Sequence, residues 1–105
     1  MTLANHHKKR IEIIVEAPAV HAVLEALDQA QVSGYTVLPA MSGRGHHGAW
    51  TLDDSFNNAS HMVAVVCITS PERVDAVASA VFAIVKRQIG IMSISDVTVV
   101  RPEHF

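Results

Sequence analysis

The pattern of apolar and polar positions predicts a strand, a helix and a second strand along the first part of the chain. The first strand is predicted over residues 10–16, which are rich in the β-branched side chains that favour strands. Pro18 suits a first helical turn, and apolar residues then recur at helical spacing over residues 18–31. Gly34 suits a chain reversal, after which residues 35–38 are predicted to form the second strand.

The second half of the chain repeats this alternation of strand and helix. Residues 61–69 are almost continuously apolar, which is typical of a strand that is buried on both faces. Ser70 and Pro71 predict the start of a helix, with the serine as N-cap and the proline in the first turn. The final strand alternates apolar residues with serines until Asp96, where the alternation shifts by one residue. That shift predicts a β-bulge or a break between two short strands.

This order of elements predicts an α+β fold of the ferredoxin-like type, the split βαβ arrangement with the order βαββαβ. Such a fold has an antiparallel sheet with both helices on one face. The other face would be open, yet the predicted strands are apolar on both faces, most clearly over residues 62–68. An uncovered apolar face favours association, so we expect a homo-oligomer. The 105 residues suggest a single domain over residues 1–105.

A long loop separates the second predicted strand from the third. Four of the five glycines fall between Gly34 and Gly48, and residues 40–60 show no regular pattern. Loops of this length are uncommon in small domains and are usually functional or disordered. We therefore expect residues 40–60 to carry function. Residues 1–9 also lack periodicity and are expected to be a flexible, solvated end.

The amino-acid composition argues against some classes of binding partner and favours one cellular compartment. The formal net charge is −2 with neutral histidines, which argues against binding nucleic acid or an anionic membrane through bulk charge. Cys67 is the only cysteine, so no disulfide can form within the chain, and a cytoplasmic location is favoured. No apolar segment has the form of a secretory signal or approaches the ~20 residues of a membrane span.

Four short motifs, taken in their order and spacing, resemble the PII-like signalling proteins. Within that family they resemble most the proteins linked to bicarbonate transport and carboxysomes. The likeness covers residues 10–105, and it is the joint placement of the motifs that makes it specific. The motifs are Gly34-Tyr35-Thr36-Val37, Gly43-Arg44-Gly45, Ile89-Gly90-Ile91 and the ending Val99-Val100-Arg101-Pro102-Glu103-His104-Phe105.

This resemblance implies a homotrimer of ferredoxin-like subunits that binds adenine nucleotides in clefts between neighbouring subunits. The long loop over residues 40–60, called the T-loop in this family, would close on the nucleotide and dock onto a transporter, channel or enzyme. PII-like proteins are sensors and regulators, so neither enzymatic activity nor a cofactor is expected. The implied ligands are ADP or AMP, with ATP as a further candidate, and bicarbonate as a second small ligand.

The resemblance also places the nucleotide-binding residues. Glycines let backbone N–H groups approach a phosphate, and Arg44 can bind a phosphate with two hydrogen bonds. Arg101 would reach phosphates across a subunit boundary. Taken singly, each glycine is equally explained by turn chemistry, and each arginine by solvation. Together, the predicted nucleotide-binding residues are Gly34, Tyr35, Thr36, Val37, Gly43, Arg44, Gly45, Gly90 and Arg101.

The sequence departs from other branches of the family in three ways. No tyrosine occurs between residues 40 and 60, so uridylylation of the T-loop is not expected. Ile91 stands where the nitrogen-regulator branch carries a lysine. One phosphate-binding cation is therefore missing, which favours AMP or ADP over ATP with Mg²⁺. The cysteine-rich C-terminal extension of some bicarbonate-transporter regulators is absent, so its redox switch is not expected.

Histidines are abundant in this chain, which contains seven of them. His46 and His47 lie in the loop, but adjacent histidines rarely share one metal ion, and no zinc-site spacing accompanies them. No metal site is therefore predicted. A looser metal-sensing role, as in metal-efflux-associated PII-like proteins or the similarly folded CutA proteins, remains an alternative. His46, His47 and Trp50 are expected to form the partner-binding part of the loop, although ordinary packing of Trp50 would equally explain that residue.

The remaining functional expectations concern catalysis and the partner. No set of nucleophile, base and orienting group can be assigned, so the chain is not predicted to be an enzyme. The expected partner is a membrane transporter for bicarbonate, bound through the T-loop without insertion into the membrane. Metal efflux and nitrogen control are the alternative functions.

Overall fold

A computed structural model of the protein describes residues 5–45, 48–51, 61–88 and 90–101. Within these ranges the chain forms six strands and two α-helices. A short 3-10 turn over Ala17–Ala19 leads from the first strand into the first helix. In chain order the elements are β1 (His6–Glu16), α1 (Val20–Gln29), β2 (Tyr35–Pro39), β3 (Ser42–Gly45), β4 (Gly48–Thr51), β5 (Met62–Thr69), α2 (Val74–Val85) and β6 (Gly90–Val99).

Four of the strands form one antiparallel sheet in the order β2-β5-β1-β6. β5 therefore lies between the two strands that α1 connects, and β1 lies between the two strands that α2 connects. This interleaving defines the split βαβ arrangement, so the predicted ferredoxin-like α+β fold is confirmed. It also makes β2 and β6 the two edges of the sheet, which determines where the candidate site residues lie.

The hydrophobic core lies between one face of this sheet and the two helices. A fully buried aliphatic side chain contributes about 1.5–3 kcal/mol to stability, so this layer is the main source of the folding free energy. Cys67 belongs to it as a small apolar side chain, and burial raises the pKa of its thiol. The fully buried side chains are Ile11, Ile13, Val15, Val23, Leu27, Val65, Val77 and Val81.

The opposite face of the sheet, which we call the open face, carries the alternate residues of the same strands. In the described part of the chain, both helices pack on the other side. Leu38 and Ile91, at the two edges of the open face, are 51% and 62% exposed. The association that such a face favours stays a prediction. The open face consists of His6, Lys8, Arg10, Glu12, Ile14 and Glu16 of β1, Met62, Ala64, Val66 and Ile68 of β5, Thr36 and Leu38 of β2, and Ile91, Ser93, Ser95, Val97 and Val99 of β6.

The first strand begins earlier than the sequence pattern indicates. Residues 6–9, expected to belong to a flexible end, pair with β6 from His6 opposite Val99 to Lys9 opposite Asp96. Because β6 is long, the backbone groups of these polar residues find ladder partners there. Pairing with β5 begins only at Lys9, so residues 6–8 extend past β5 as part of a two-stranded ribbon.

The last strand has no bulge or break at Asp96, so that expectation was wrong. Its pairing with β1 continues without interruption from Gly90 to Val99. Asp96 lies on the helix-covered side of the sheet, where it forms an ion pair with Lys9 across the strands. The alternation of apolar residues shifts here because Asp96 is a polar residue at a helix-facing position. The pairing of β6 with β1 keeps the same register on both sides of Asp96.

The second helix begins at Val74, and the capping position is Arg73, not Ser70. Residues 71–73 form a turn, in which the N–H of Arg73 donates to the carbonyl of Ser70 at 3.1 Å. Ser70 and Pro71 therefore belong to a turn that precedes the helix, and they do not form the helix start itself. The Arg73 guanidinium instead donates to the carbonyls of Ala30 and Gln31, just past the end of α1.

The T-loop region contains regular structure that the sequence pattern does not predict. β3 and β4 pair as an antiparallel hairpin, from Ser42 opposite Thr51 to Gly45 opposite Gly48. Gly48 has a φ of +100°, which side chains with a Cβ rarely adopt. The remainder of this region, residues 46–47 and 52–60, lies outside the described residues.

Candidate functional site

The first predicted binding motif lies along an edge of the sheet. Tyr35, Thr36 and Val37 belong to β2, which among the described strands pairs with β5 alone. All five residues of β2 are exposed, including Tyr35 at 37% and Val37 at 39%. Gly34 precedes the strand and has open space where a Cβ would lie. The motif thus offers unpaired backbone groups and accessible side chains to a ligand or to a neighbouring subunit.

The second motif lies on the hairpin. Gly43, Arg44 and Gly45 are consecutive residues of β3, and Arg44 is exposed opposite Ala49. Gly45 also has open space at its Cβ position. Packing within the subunit therefore does not explain this glycine, whereas close approach of a ligand to the backbone would. An exposed guanidinium beside open backbone is a suitable arrangement for binding a phosphate.

Gly90 has a structural explanation that the sequence alone did not reveal. A Cβ at this position would lie 2.6 Å from the carbonyl oxygen of Ile14 and 2.8 Å from Cγ1 of Val15. Real Cβ atoms do not approach backbone oxygens so closely, so β6 needs a glycine where it starts against β1. This packing accounts for Gly90 without a ligand, and a role in nucleotide binding stays a prediction.

Arg101 lies at the other end of β6. It is exposed and follows the strand, whereas Gly90 begins it. β6 is ten residues long, so its two ends lie roughly 30 Å apart. Gly90 instead lies at the same end of the sheet as the base of the T-loop, because Pro39, Val63, Val15 and Gly90 are in register across the four strands.

The predicted residues therefore do not converge within one subunit. β2 and β6 lie at opposite edges, with β5 and β1 between them, so about 14 Å of sheet separates the first motif from Gly90. Gly34 to Val37 at the β2 edge and Gly43 to Gly45 on the hairpin are each contiguous by themselves. A ligand between two copies of the chain could contact the β2 edge of one copy and the β6 edge of the other.

The third group of predicted residues is the partner-binding set. Trp50 is opposite Gly43 in the hairpin ladder, so its backbone belongs to the same element as the arginine motif. The side chain of Trp50 and both His46 and His47 lie outside the described residues. Their proposed role in partner binding stays a prediction.

Two ion pairs on β1 were not identified from the sequence. Lys9 donates to Asp96 on the helix-covered side, and Arg10 donates to Glu12 at 2.9 Å on the open face. The hydrogen bond from Lys9, and then its positive charge, lower the pKa of the Asp96 carboxyl. The spacing of Arg10 and Glu12 was a usable signal, because residues two apart on a strand share a face.

A groove between the helices lies apart from the predicted site. It has a volume of about 460 Å³, and its lining includes Ala22, Ala26, Ala76, Ala80 and Ile84. None of the predicted nucleotide-binding residues lines it. The lining also includes Glu25, Gln29 and Arg73. The Arg73 guanidinium already donates to the carbonyls of Ala30 and Gln31, so we place the candidate site at the sheet edges and the hairpin.

Two further properties can be stated for the described part of the chain. No group of three or more histidine, cysteine, aspartate or glutamate side chains there is arranged to hold a metal ion. No helix there is long and apolar enough to cross a membrane.

Comparison with known proteins identifies the family. The sequence model of the nitrogen regulatory protein P-II family matches residues 8–104. The chain belongs to the P-II family. The resemblance that the glycine and arginine motifs indicated is thereby confirmed, and P-II proteins are signalling proteins. A search of curated proteins found no match.

Solved structures of P-II-like proteins agree with this assignment. CPII from Thiomonas intermedia, a nitrogen regulatory PII-like protein bound to ADP, AMP and bicarbonate, is 26% identical, with a TM-score of 0.85 over 99% of this chain and 98% of that one. The same protein bound to ADP, AMP and acetate gives 25% identity and a TM-score of 0.78, with 98% of both chains covered. Its apo form gives 21% identity and a TM-score of 0.73 over 96% and 100% of the chains, and shows the fold alone.

Proposed function

We propose that this P-II protein is a homotrimeric, adenine-nucleotide-responsive regulator that binds AMP or ADP between its subunits. The observation that carries the proposal is the family match over residues 8–104, together with the similarity to CPII, whose structure holds ADP, AMP and bicarbonate. The arrangement of the predicted residues supports a cleft between subunits. A neighbouring copy that supplies the second edge would bring residues from opposite edges of the sheet to one ligand.

Each structural part has a distinct task in this proposal. The β2 edge, with Gly34 to Val37, provides backbone groups and a threonine hydroxyl for the nucleotide. Arg44 on the hairpin neutralises phosphate charge, and Arg101 adds a second cation from the far end of β6. Because Ile91 provides no positive charge next to Gly90, the cleft favours AMP or ADP over ATP.

The T-loop would transmit the signal. A ligand can switch a loop only if it binds one loop conformation better than another. Arg44 lies on the hairpin of that loop, so a bound phosphate favours the conformations that bring the hairpin to the cleft. His46, His47 and Trp50 would then present or withdraw a partner-binding surface. We propose that the partner is a membrane transporter for bicarbonate, that bicarbonate is the second ligand, and that the protein acts in the cytoplasm.

Calorimetry tests the binding proposal directly. AMP, ADP and ATP are titrated into the protein, each with and without bicarbonate. We expect AMP or ADP to bind more tightly than ATP and bicarbonate to change that affinity. Failure of all three nucleotides to bind would refute the proposed function.

Arg44→Ala provides the matching residue-level prediction. Charge-assisted hydrogen bonds contribute about 1.5–3 kcal/mol, so we expect a loss of nucleotide affinity of roughly tenfold to a hundredfold. The control is His21→Ala on α1, a helix that packs on the other face of the sheet; the His21 side chain is 87% exposed. Its calorimetric affinity should match that of the wild type. Equal affinities for the Arg44→Ala protein and the wild type would exclude a phosphate contact by this arginine.

A further inference from the structure

The segment that joins α1 to β2 turns through a left-handed residue. Gln31 has a φ of 59°, and it is the only residue other than glycine with a positive φ in the described part of the chain. The left-handed conformation disfavours a residue with a Cβ by about fivefold to thirtyfold relative to the right-handed one. Glycine usually occupies such a position at a helix end. Gln31 is exposed, so packing of its side chain does not hold the turn.

Arg73 binds the backbone on both sides of Gln31. Its Nη1 donates to the carbonyl of Gln31 at 3.0 Å, and its Nη2 donates to the carbonyl of Ala30. These carbonyls belong to the two peptide groups that flank the Cα of Gln31, whose φ and ψ set their relative orientation. Because the guanidinium is a rigid fork, it can bind both oxygens only in a narrow range of orientations. Arg73 therefore favours the left-handed turn.

The turn leads directly into the first predicted binding motif. Gly34 follows Gln31 by three residues and precedes the β2 ladder, which begins with Tyr35 opposite Cys67. Gly34 has open space at its Cβ position, and all five residues of β2 are exposed. Packing therefore gives this motif little support, and the turn before it sets the direction in which the chain enters β2.

We infer that Arg73 is a positioning residue for the nucleotide, because it holds the turn that places Gly34 to Thr36. This inference rests on the nucleotide binding of the proposed function. Without Arg73, Gln31 would populate other conformations, and only the molecules that keep the original turn would bind with full affinity. The N–H of Val32 would still bond to the carbonyl of Leu27. We therefore expect a loss at the lower end of the conformational penalty, about fivefold.

Calorimetric titration with ADP tests the role of Arg73. Arg73→Ala should bind ADP about fivefold more weakly than the wild type. Arg73→Ala/Gln31→Gly should regain the wild-type affinity, because glycine adopts the left-handed conformation readily and no longer needs the arginine. The double variant still lacks the cation. A regained affinity would therefore also exclude direct attraction between Arg73 and the phosphates as the cause of the loss.

Substitutions of Gln31 alone form a matched pair in which Arg73 is retained. Gln31→Val places a β-branched side chain in a conformation that such side chains strongly disfavour, so ADP binding should weaken. Gln31→Gly should bind ADP as the wild type does. Circular dichroism establishes that each variant is folded at the temperature of the titration. If Arg73→Ala does not fold, this pair decides.

NMR spectra of the ligand-free protein test the positioning without any nucleotide. The amide signals of Gly34 and Tyr35 should shift in Arg73→Ala, because the chain then enters β2 from a different turn. They should return toward their wild-type positions in Arg73→Ala/Gln31→Gly. A role of Arg73 in stability alone would leave these signals, and the affinity of the folded protein, unchanged.

The outcomes separate this inference from the proposed function. An unchanged ADP affinity in the folded Arg73→Ala protein, or a double variant that binds as weakly as the single one, would overturn the positioning role while nucleotide binding stands. A wild-type protein that binds no nucleotide would overturn the proposed function, and the inferred effect on affinity with it. Shifted amide signals of Gly34 and Tyr35 would even then support the hold of Arg73 on the start of β2, and unshifted signals would refute it.

Discussion

Three glycines in or beside the candidate site differ in how far the fold explains them. Gly90 is required by packing, because a Cβ would meet the backbone of Ile14. Gly48 is required by its backbone conformation, with a φ of +100°. Gly45 has open space around its Cβ position. Packing does not require a glycine there, so we attribute this glycine to function. The sequence shows the same letter in each case, and only the surrounding atoms separate structural from functional glycines.

Gly90→Ala should destabilise the protein even without any ligand. The added methyl group forces β6 away from β1, and overpacking of this kind costs about 1–3 kcal/mol. Urea unfolding of the ligand-free protein measures the change. Gly45→Ala is the matched control, and it should alter the free energy of unfolding by no more than about 0.5 kcal/mol. Equal stability of the Gly90→Ala protein and the wild type would show that β6 can relax at this end.

The carboxyl of Asp96 provides a pH prediction. The hydrogen bond and charge of Lys9, with a smaller contribution from the charge of His7, hold its pKa below the ordinary value of 3.8. A carboxyl with a lowered folded-state pKa stabilises the fold above its unfolded-state pKa. That stabilisation is lost as the pH falls through the folded-state value. The ion pair therefore contributes at neutral pH and ceases to contribute in acid, below pH 3.8.

A carbon-detected NMR titration of Asp96 tests whether Lys9 causes the lowered pKa of this carboxyl. In Lys9→Met, we expect the pKa of Asp96 to rise toward its ordinary value. Lys86→Met, at the far end of α2, is a control that should leave the Asp96 titration unchanged. An unaltered pKa in the Lys9→Met protein would assign the shift to another group.

The two helices are joined at their ends by a contact that no local pattern indicates. α1 ends in a left-handed residue, Gln31 with a φ of 59°, and the N–H of Val32 bonds back to the carbonyl of Leu27 at 3.3 Å. This is a Schellman-type helix end made without glycine. Arg73, just before α2, then donates to the carbonyls of Ala30 and Gln31. A cation at the negative end of a helix stabilises it.

Arg73→Ala should therefore weaken the helical layer. It removes charge-assisted hydrogen bonds at a partly solvated position, and we expect a loss of about 1 kcal/mol in the free energy of unfolding. Arg87→Ala removes an exposed arginine just beyond the other end of α2, and its effect should stay within about 0.5 kcal/mol. Thermal or urea unfolding of the two variants compares them. A larger effect for Arg87→Ala than for Arg73→Ala would contradict the capping role.

Local periodicity predicts the elements best where burial dominates. Both helices and β5 were predicted because their apolar residues face a core at regular spacing. The prediction failed where strand residues are polar, as in residues 6–9 of β1 and at Asp96 of β6. It also failed in the hairpin of residues 42–51, whose ladder is made by backbone groups and small side chains. At these places the strand is defined by its hydrogen bonds to a neighbouring strand. The partner is distant in the sequence, so the local sequence pattern does not reveal the pairing.

At the scale of the whole molecule, the fold class followed from the order of elements, but the shape of the candidate site did not. The motifs identified the correct family, and each of them lies at an edge, an end or a hairpin. Their distances from one another depend on the strand order β2-β5-β1-β6, which places the β2 motif and Gly90 at opposite edges, and on the length of β6, which separates Gly90 from Arg101. In the proposed assembly, a list of binding residues from one chain would describe half of one cleft and half of the next.

The position of β2 and β6 at the two edges of the sheet has a thermodynamic consequence. In the proposed assembly, each nucleotide is held by two chains at once, so ligand binding and subunit association are linked equilibria. The nucleotide must then strengthen the contact between subunits by the same factor by which that contact strengthens nucleotide binding. Dilution that separates the subunits would release ligand without any change in the residues that hold it. The measured affinity for nucleotide thus becomes a function of protein concentration.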